Sequence, residues 1–181
     1  MANITTPEFR VSFPNVFKPG KSMEEGKEGK YNVTMLFDKD TDISALKAAA
    51  ADACIAKWGD KSKWPKNLRT PFRDQGEKDF DGYVEGAFFV NATSGNRPGL
   101  VDRKLNPIID PSDFYPGCYA RASINAFAYD KAGNKGVAFG LNHIQKLRDG
   151  DPLGSFTRPE DVFAPIADGD GSKGEGDDPF N

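Results

Sequence analysis

The sequence predicts a mainly β domain in which five or so strands close a small antiparallel barrel, with one α-helix at about 42–58 and a disordered acidic C-terminal tail. Three observations point there. Apolar residues alternate with period two in several separate runs, one alanine-rich run with helical spacing interrupts them, and residues 168–178 carry no apolar side chain. One helix between the second and third strands fits a barrel better than a parallel α/β sheet.

The elements follow in order. "EFRVSFPNVFKP" (8–19) alternates at Phe9, Val11 and Phe13 before Pro14, which suits an edge strand or a bulge. "GKSMEEGKEGK" (20–30) is glycine- and charge-rich and reads as a mobile loop. "YNVTMLFD" (31–38) puts Tyr31, Val33, Met35 and Phe37 on one side of a second strand. The period then changes: 40–59 has capping candidates at Thr41 or Asp42, an apolar stripe at Ile43, Leu46, Ala50, Ala53 and Cys54, and a stop at Gly59. Residues 60–82 hold no period. "YVEGAFFVNATS" (83–94) is a strand, "GLVD" a short one, and 117–130 and 136–149 are two long strands around the hairpin signal "KAGNKG".

The chain of 181 residues, 38% hydrophobic and 28% charged, suits one soluble domain over 1–165 with a tail at 166–181. No apolar run approaches the roughly eighteen residues of a membrane helix, and "MANITTPEFR" lacks the pattern of a secretory signal. Cys54 and Cys118 therefore read as buried thiols in a reducing cytoplasm. The net charge of −3 hides a division: residues 149–181 hold nine acids against two cations, net −7, and the rest holds 22 cations against 18 acids, net +4. A mildly basic body carries an acidic appendage.

Enzyme chemistry finds little support. A single histidine and two distant cysteines do not make a zinc site, and no cofactor or metal is implied. His143, within a strand run, reads as a hydrogen-bonded strand residue rather than a triad base. There is no phosphate-cradling glycine motif, and acid pairs such as Asp79/Asp81 or Glu24/Glu25 are what charge-rich loops produce by chance.

The run 118–129 says more. Cys118, Ala120, Ala122, Ile124, Ala126 and Ala128 form one small apolar face for a tight interior. Tyr119, Arg121, Ser123, Asn125, Phe127 and Tyr129 form the other, and aromatics with a cation are what stacking on exposed bases requires. The plainer reading is that these aromatics cover the barrel. "KWGDKSKWPKNLRTPFR" (57–73) adds Lys57, Lys61, Lys63, Lys66, Arg69 and Arg73 against one acid, with Trp58, Trp64 and Phe72 interleaved. Cations that track phosphates beside rings that stack suit a flexible single strand better than a duplex groove. The alternative is a solvated loop whose tryptophans dock on the body, and Trp58 is read that way. Arg97, Arg103 and Lys104 are a weaker signal of the same kind.

On these residues the chain resembles a known family. "VSFPNVFKP", "CYARASINAFAYD" and above all "GVAFGLNHIQKLRDGDPLG" (136–154) resemble bacteriophage single-stranded-DNA-binding proteins with an OB-fold. The resemblance covers about 1–165. It implies a five-stranded barrel, sequence-tolerant single-strand binding, a role in phage DNA replication or recombination, and a place in the cytoplasm of the infected host. It does not say which residues touch DNA. From the chemistry, the DNA-binding candidates are Lys61, Lys63, Trp64, Lys66, Arg69, Arg73, Arg97, Tyr119, Arg121, Phe127 and Tyr129.

The closing stretch "DGDGSKGEGDDPFN" resembles the acidic tips of bacterial and phage single-strand-binding proteins, which recruit replication partners. Asp177, Asp178, Pro179 and Phe180 match that pattern. Asn181 departs from it, because the usual tip ends on the phenylalanine. The expected partners are thus single-stranded DNA and replication or recombination proteins, with no membrane and with a homo-oligomer allowed. A rival reading is a structural or adaptor phage protein whose aromatic face meets protein. RNA is a further option, since nothing here distinguishes the 2′-hydroxyl.

Overall fold

A computed structural model of the chain describes residues 3–20, 29–153 and 163–166. Most of the loop expected to be mobile at 20–30 lies outside the described residues, as does the tail from 167 onward. Among the described residues the strands are β1 (Ile4–Thr5), β2 (Phe9–Asn15), β3 (Tyr31–Leu36), β4 (Arg73–Asp74), β5 (Phe88–Ser94), β6 (Gly99–Val101), β7 (Tyr119–Lys131) and β8 (Asn134–Arg148), with a single α-helix, α1 (Ser44–Trp58), between β3 and β4.

β2, β3, β5, β8 and β7 pair in that order, and β7 pairs back onto β2, so five strands close a ring. This is the predicted OB-type barrel with its one helix. Four of the junctions are antiparallel as expected; the fifth, β5 on β8, runs parallel, with Ala92 beside Phe139. Between these two strands the chain passes through β6 and the whole of β7, so they are joined by no hairpin. β1 and β4 are two-residue strands, too short to leave a periodic signal. The run predicted as a strand from Tyr83 is regular only from Phe88, one residue before the register with β3 begins at Phe89.

Alternation builds the core. Val11, Met35 and Val90 lie side by side in the ladders, as do Val33 and Ala92, and all five are completely buried. The predicted small face is buried at Cys118, just ahead of β7, and at Ala120, Ala122, Ile124 and Ala126 on it, while Ala128 is half-buried, and these small residues leave room for the large buried rings of Phe9, Phe37 and Phe139. α1 packs mainly on β7, with Leu46, Ala50 and Cys54 buried in the same core. It begins two residues later than expected: Asp42 accepts the Ser44 N–H at 2.9 Å just ahead of the first turn, and Gly59 closes the helix at φ 83°. Both cysteines are free and buried, and burial pushes their thiols above the ordinary range. Among the described residues no helix is long and apolar enough to cross a membrane.

β2 departs from its alternation in one place. The register with β3 shifts between Ser12 and Asn15, and Phe13 stands at φ 44°. Pro14 offers no N–H to the ladder, and a bulge is the usual way a strand absorbs this. The extra residue reverses the side to which Phe13 points. Its ring, in phase with Phe9 and Val11 by sequence, is 52% exposed.

Candidate nucleic-acid interface

The outer face of β2, β3 and β5 is built from three rows of cross-strand neighbours, the first ending in the buried apolar pair Leu36 and Phe89 and the other two polar. Arg10, Leu36 and Phe89 form one row, Ser12, Thr34 and Asn91 the next, and Asn15, Asn32 and Thr93 the last. Residues opposite one another in a ladder share a face, and hydrogen bonds fix several of these side chains. Thr34 donates to Asn91 Oδ1 at 2.6 Å, and Asn15 Nδ2 donates to Asn32 Oδ1 at 3.1 Å. Ser12 and Thr34 are themselves buried, so the groups open to a ligand are Asn91, which is exposed, and the half-buried Asn15, Asn32 and Thr93, donors and acceptors without a charge of their own.

Rings line one side of these rows. Phe13 meets Phe80 edge to face at 5.1 Å between centroids, Phe80 meets Tyr83 at 5.4 Å, and Tyr83 meets Phe89 at 5.9 Å. The Arg73 guanidinium stands 5.5 Å above the Phe89 ring and completes the series. Exposure falls along it: Phe13 and Phe80 are about half exposed, Tyr83 is half-buried, and Phe89 is 3% exposed. The outer two rings are therefore open to a stacking partner while the inner two anchor them.

The segment that carries Phe80 and Tyr83 has no regular structure and is held by side chains. The buried Gln75 amide donates to Phe37 O at 3.0 Å and Phe88 O at 2.9 Å, and its Oε1 accepts the Val84 N–H at 2.9 Å. Asp74 accepts the N–H groups of Gly76 and Gly86, which hold its carboxyl below the usual range. The Tyr83 hydroxyl shares a 2.9 Å hydrogen bond with Ser12, and burial raises its pKa.

The basic segment meets this face at Arg73. Lys61, Lys63, Lys66 and Arg69 are exposed, and none forms an ion pair with another described residue. Arg73 itself pairs with Glu77 at 2.8 Å on the surface. The Arg69 backbone bridges to the turn end of the β7–β8 hairpin, donating to Lys135 O at 2.9 Å and accepting from Val137 N at 3.2 Å. A Cβ at Gly136 would lie 2.6 Å from the Tyr129 hydroxyl and 2.8 Å from Arg69 O, so only glycine lets the segment and that ring approach so closely. Tyr129 and Arg69 are thereby brought together. The rings within 57–73 behave differently: Trp58, Trp64 and Phe72 pack on the core, the Trp64 indole N–H donates to Gly59 O at 2.8 Å, and Phe72 meets Phe139 at 5.9 Å.

The outer face of β7 is not one surface. Tyr119 lies under Arg148, whose guanidinium is 3.8 Å from the ring centroid and paired with Glu8 at 2.8 Å, while Arg10 approaches at 5.9 Å. Arg121 donates to Gln145 at 2.8 Å. Phe127 lines a cavity against α1. Ten residues of strand, roughly 33 Å, separate Tyr119 from Tyr129. Arg97 sits in the turn after β5, 5.8 Å above Phe17 at the far end of the polar rows. Asp177, Asp178, Pro179 and Phe180 lie outside the described residues.

Phe13, Phe80 and Tyr83 were not among the candidates from sequence. Phe80 and Tyr83 lie in or beside the aperiodic 60–82, and Phe13 is in phase with core residues. The available signal was Pro14, which marks the bulge that turns Phe13 outward. Among the described residues no group of three His, Cys, Asp or Glu side chains is placed to hold a metal ion.

A closed five-stranded barrel with a polar, aromatic outer face on its second and third ring strands is the architecture that OB-folds use for oligonucleotides. The chain belongs to a bacteriophage single-stranded-DNA-binding family: the family described as Enterobacter phage Enc34, ssDNA-binding protein, matches residues 2–175. It is also 34% identical over 152 residues to protein p50 of Acyrthosiphon pisum secondary endosymbiont phage 1, covering 78% of this chain and 81% of that one. Among solved structures, the bacteriophage Enc34 single-stranded-DNA-binding protein in complex with ssDNA superposes with a TM-score of 0.69 at 22% identity, over 84% of this chain and 89% of that one. Bacteriophage T7 gp2.5, a single-stranded-DNA-binding protein, gives a TM-score of 0.59 at 13% identity, over 88% and 91%. At these identities the two structures speak for the fold.

Proposed function

We propose that this protein binds single-stranded DNA with little sequence preference on the outer face of β2, β3 and β5 and along the adjoining basic segment. The observation that carries the reading is the ring series ending in Arg73, with two rings open on the barrel face. Bases would stack on Phe13 and Phe80, since every base offers a flat face to an aromatic ring. Lys63, Lys66 and Arg69 would meet phosphates, and Asn91 with the Asn15, Asn32 and Thr93 row would give hydrogen bonds that do not depend on one base. The chain would coat single strands during phage DNA replication or recombination without chemistry of its own. The acidic tail would recruit partner proteins through Asp177, Asp178, Pro179 and Phe180 and compete with DNA for the basic surface.

The test is the salt dependence of binding to a labelled single-stranded oligonucleotide. Neutralising Lys63, Lys66 and Arg69 together removes three phosphate contacts, and for single strands the log–log slope changes by roughly 0.7 per contact. The slope should therefore flatten by about 2. An unchanged slope would place the phosphate path elsewhere.

A further inference from the structure

We infer that the chain associates head to tail, the segment Phe163–Ile166 of one copy seating in the groove between α1 and β7 of the next. The groove is a cavity of about 640 Å³ lined chiefly by apolar groups, among them Ile4, Ala49, Ala53, Ala56, Ala126 and Phe127. The wall of the groove on α1 is built from Ala45, Ala48, Ala49, Ala53 and Ala56, with Asp52 and Lys57 as its charged members. Helix propensity accounts for alanine there, but not for Phe127 and Ile4 on the facing wall. The complementary element is elsewhere on the same chain. In "FAPI", Phe163 is 74% exposed and Ile166 is 86% exposed, two large apolar side chains flanking a proline. A proline-containing segment that forms no ladder enters such a groove at little conformational cost, because the proline fixes part of the backbone beforehand.

A patch that fits a pocket elsewhere on the same molecule makes a heterologous contact, which continues from copy to copy rather than closing on a pair. One such contact is smaller than a stable dimer interface, so free protein should associate weakly. Copies held side by side on a strand would associate strongly, through their high effective concentration. The contact is independent of how DNA is bound.

Sedimentation velocity of the full chain without DNA, over a wide concentration range, tests this. Wild type should sediment faster as concentration rises. Phe163→Asp/Ile166→Asp and Ala56→Arg, on either half of the contact, should each remain monomeric, with association weakened roughly a hundredfold. Mixing the two variants should restore one contact and give a dimer that grows no further, because each lacks the opposite half. Circular dichroism melts matching wild type would show that Ala56→Arg folds; if it does not fold, Ala45→Glu on the same exposed rim replaces it. A wild type that stays monomeric throughout, or variants that associate like wild type, would overturn the inference. So would loss of association on deleting Asp168–Asn181, since the stretch around Phe180 would then be the occupant.

Discussion

The Phe13 ring rests against Phe80 with 5.1 Å between centroids, on a backbone at φ 44° that a bulky side chain seldom adopts. The bulge beside Pro14 holds a ring in water that the strand's own period would have buried. Residues kept in sparsely populated backbone regions cluster at ligand sites, where the strain is offset by surrounding structure. The same ring should therefore be dispensable for folding.

Phe13→Gly tests this. Relief of left-handed strain, about 1–2 kcal/mol, opposes a lost ring contact of roughly 0.5–1.5 kcal/mol and the added chain entropy of glycine, roughly 0.5–1 kcal/mol. Stability in urea should thus change by less than about 1 kcal/mol, while affinity for a single-stranded oligonucleotide falls by roughly 1–3 kcal/mol. A variant that loses both equally would make Phe13 a structural ring.

Tyr119 should behave in the opposite way. Its ring lies beneath Arg148 and beside Gly150, where a Cβ would come within 2.7 Å of it. Tyr119→Ala should cost about 2 kcal/mol of stability through lost packing and cation–π contact. Binding per folded molecule should hold. Weaker binding by fully folded variant protein would show that the ring also meets bases.

Acid should loosen the segment that carries Phe80. Backbone N–H groups lower the pKa of Asp74 in the folded protein, so its stabilisation is present above the unfolded value of about 3.9. It is lost as pH falls through the lower folded value. Unfolding midpoints should be flat from about pH 8 to 5 and fall below about pH 4, and Asp74→Asn should lower the plateau and make the acid fall shallower. A variant curve parallel to wild type at all pH values would remove Asp74 from this role.

The tail prediction rests on charge. Deleting Asp168–Asn181 removes five acids and one lysine, a change of about +4 on a chain of net −3. A tethered anionic segment competes at high effective concentration, so truncation should tighten DNA binding, most at low salt. Phe180→Ala keeps every charge and should leave DNA affinity unchanged while partner pull-down is lost. Equal affinity at low salt for truncated and full-length protein would mean that the tail does not compete.

Local signals carried most of the barrel. The small face of β7 from Cys118 to Ala126, the Val33–Met35–Phe37 side of β3 and the Gly59 stop were all legible, because period and helix end are properties of short stretches. The parallel β5–β8 junction was not, because pairing direction depends on how the chain crosses the barrel. The site was legible in part. Exposed cations from Lys61 to Arg73 stand out in composition, but the same stretch cannot say that Trp64 and Phe72 turn inward, which the nearby core decides. Phe80 reaches Phe13 only through Gln75, a single buried amide in an aperiodic segment.

The most direct measurement is a fluorescence anisotropy titration of labelled single-stranded and duplex oligonucleotides with wild type and the Phe13→Ala/Phe80→Ala variant at one fixed salt concentration. Wild type should bind the single strand well above the duplex. The variant, shown by its melting curve to be folded at the assay temperature, should lose single-strand affinity by roughly 2–6 kcal/mol, the sum of two stacks, and so lose most of its preference over duplex. A folded variant that binds single strands as wild type does would contradict stacking on this face.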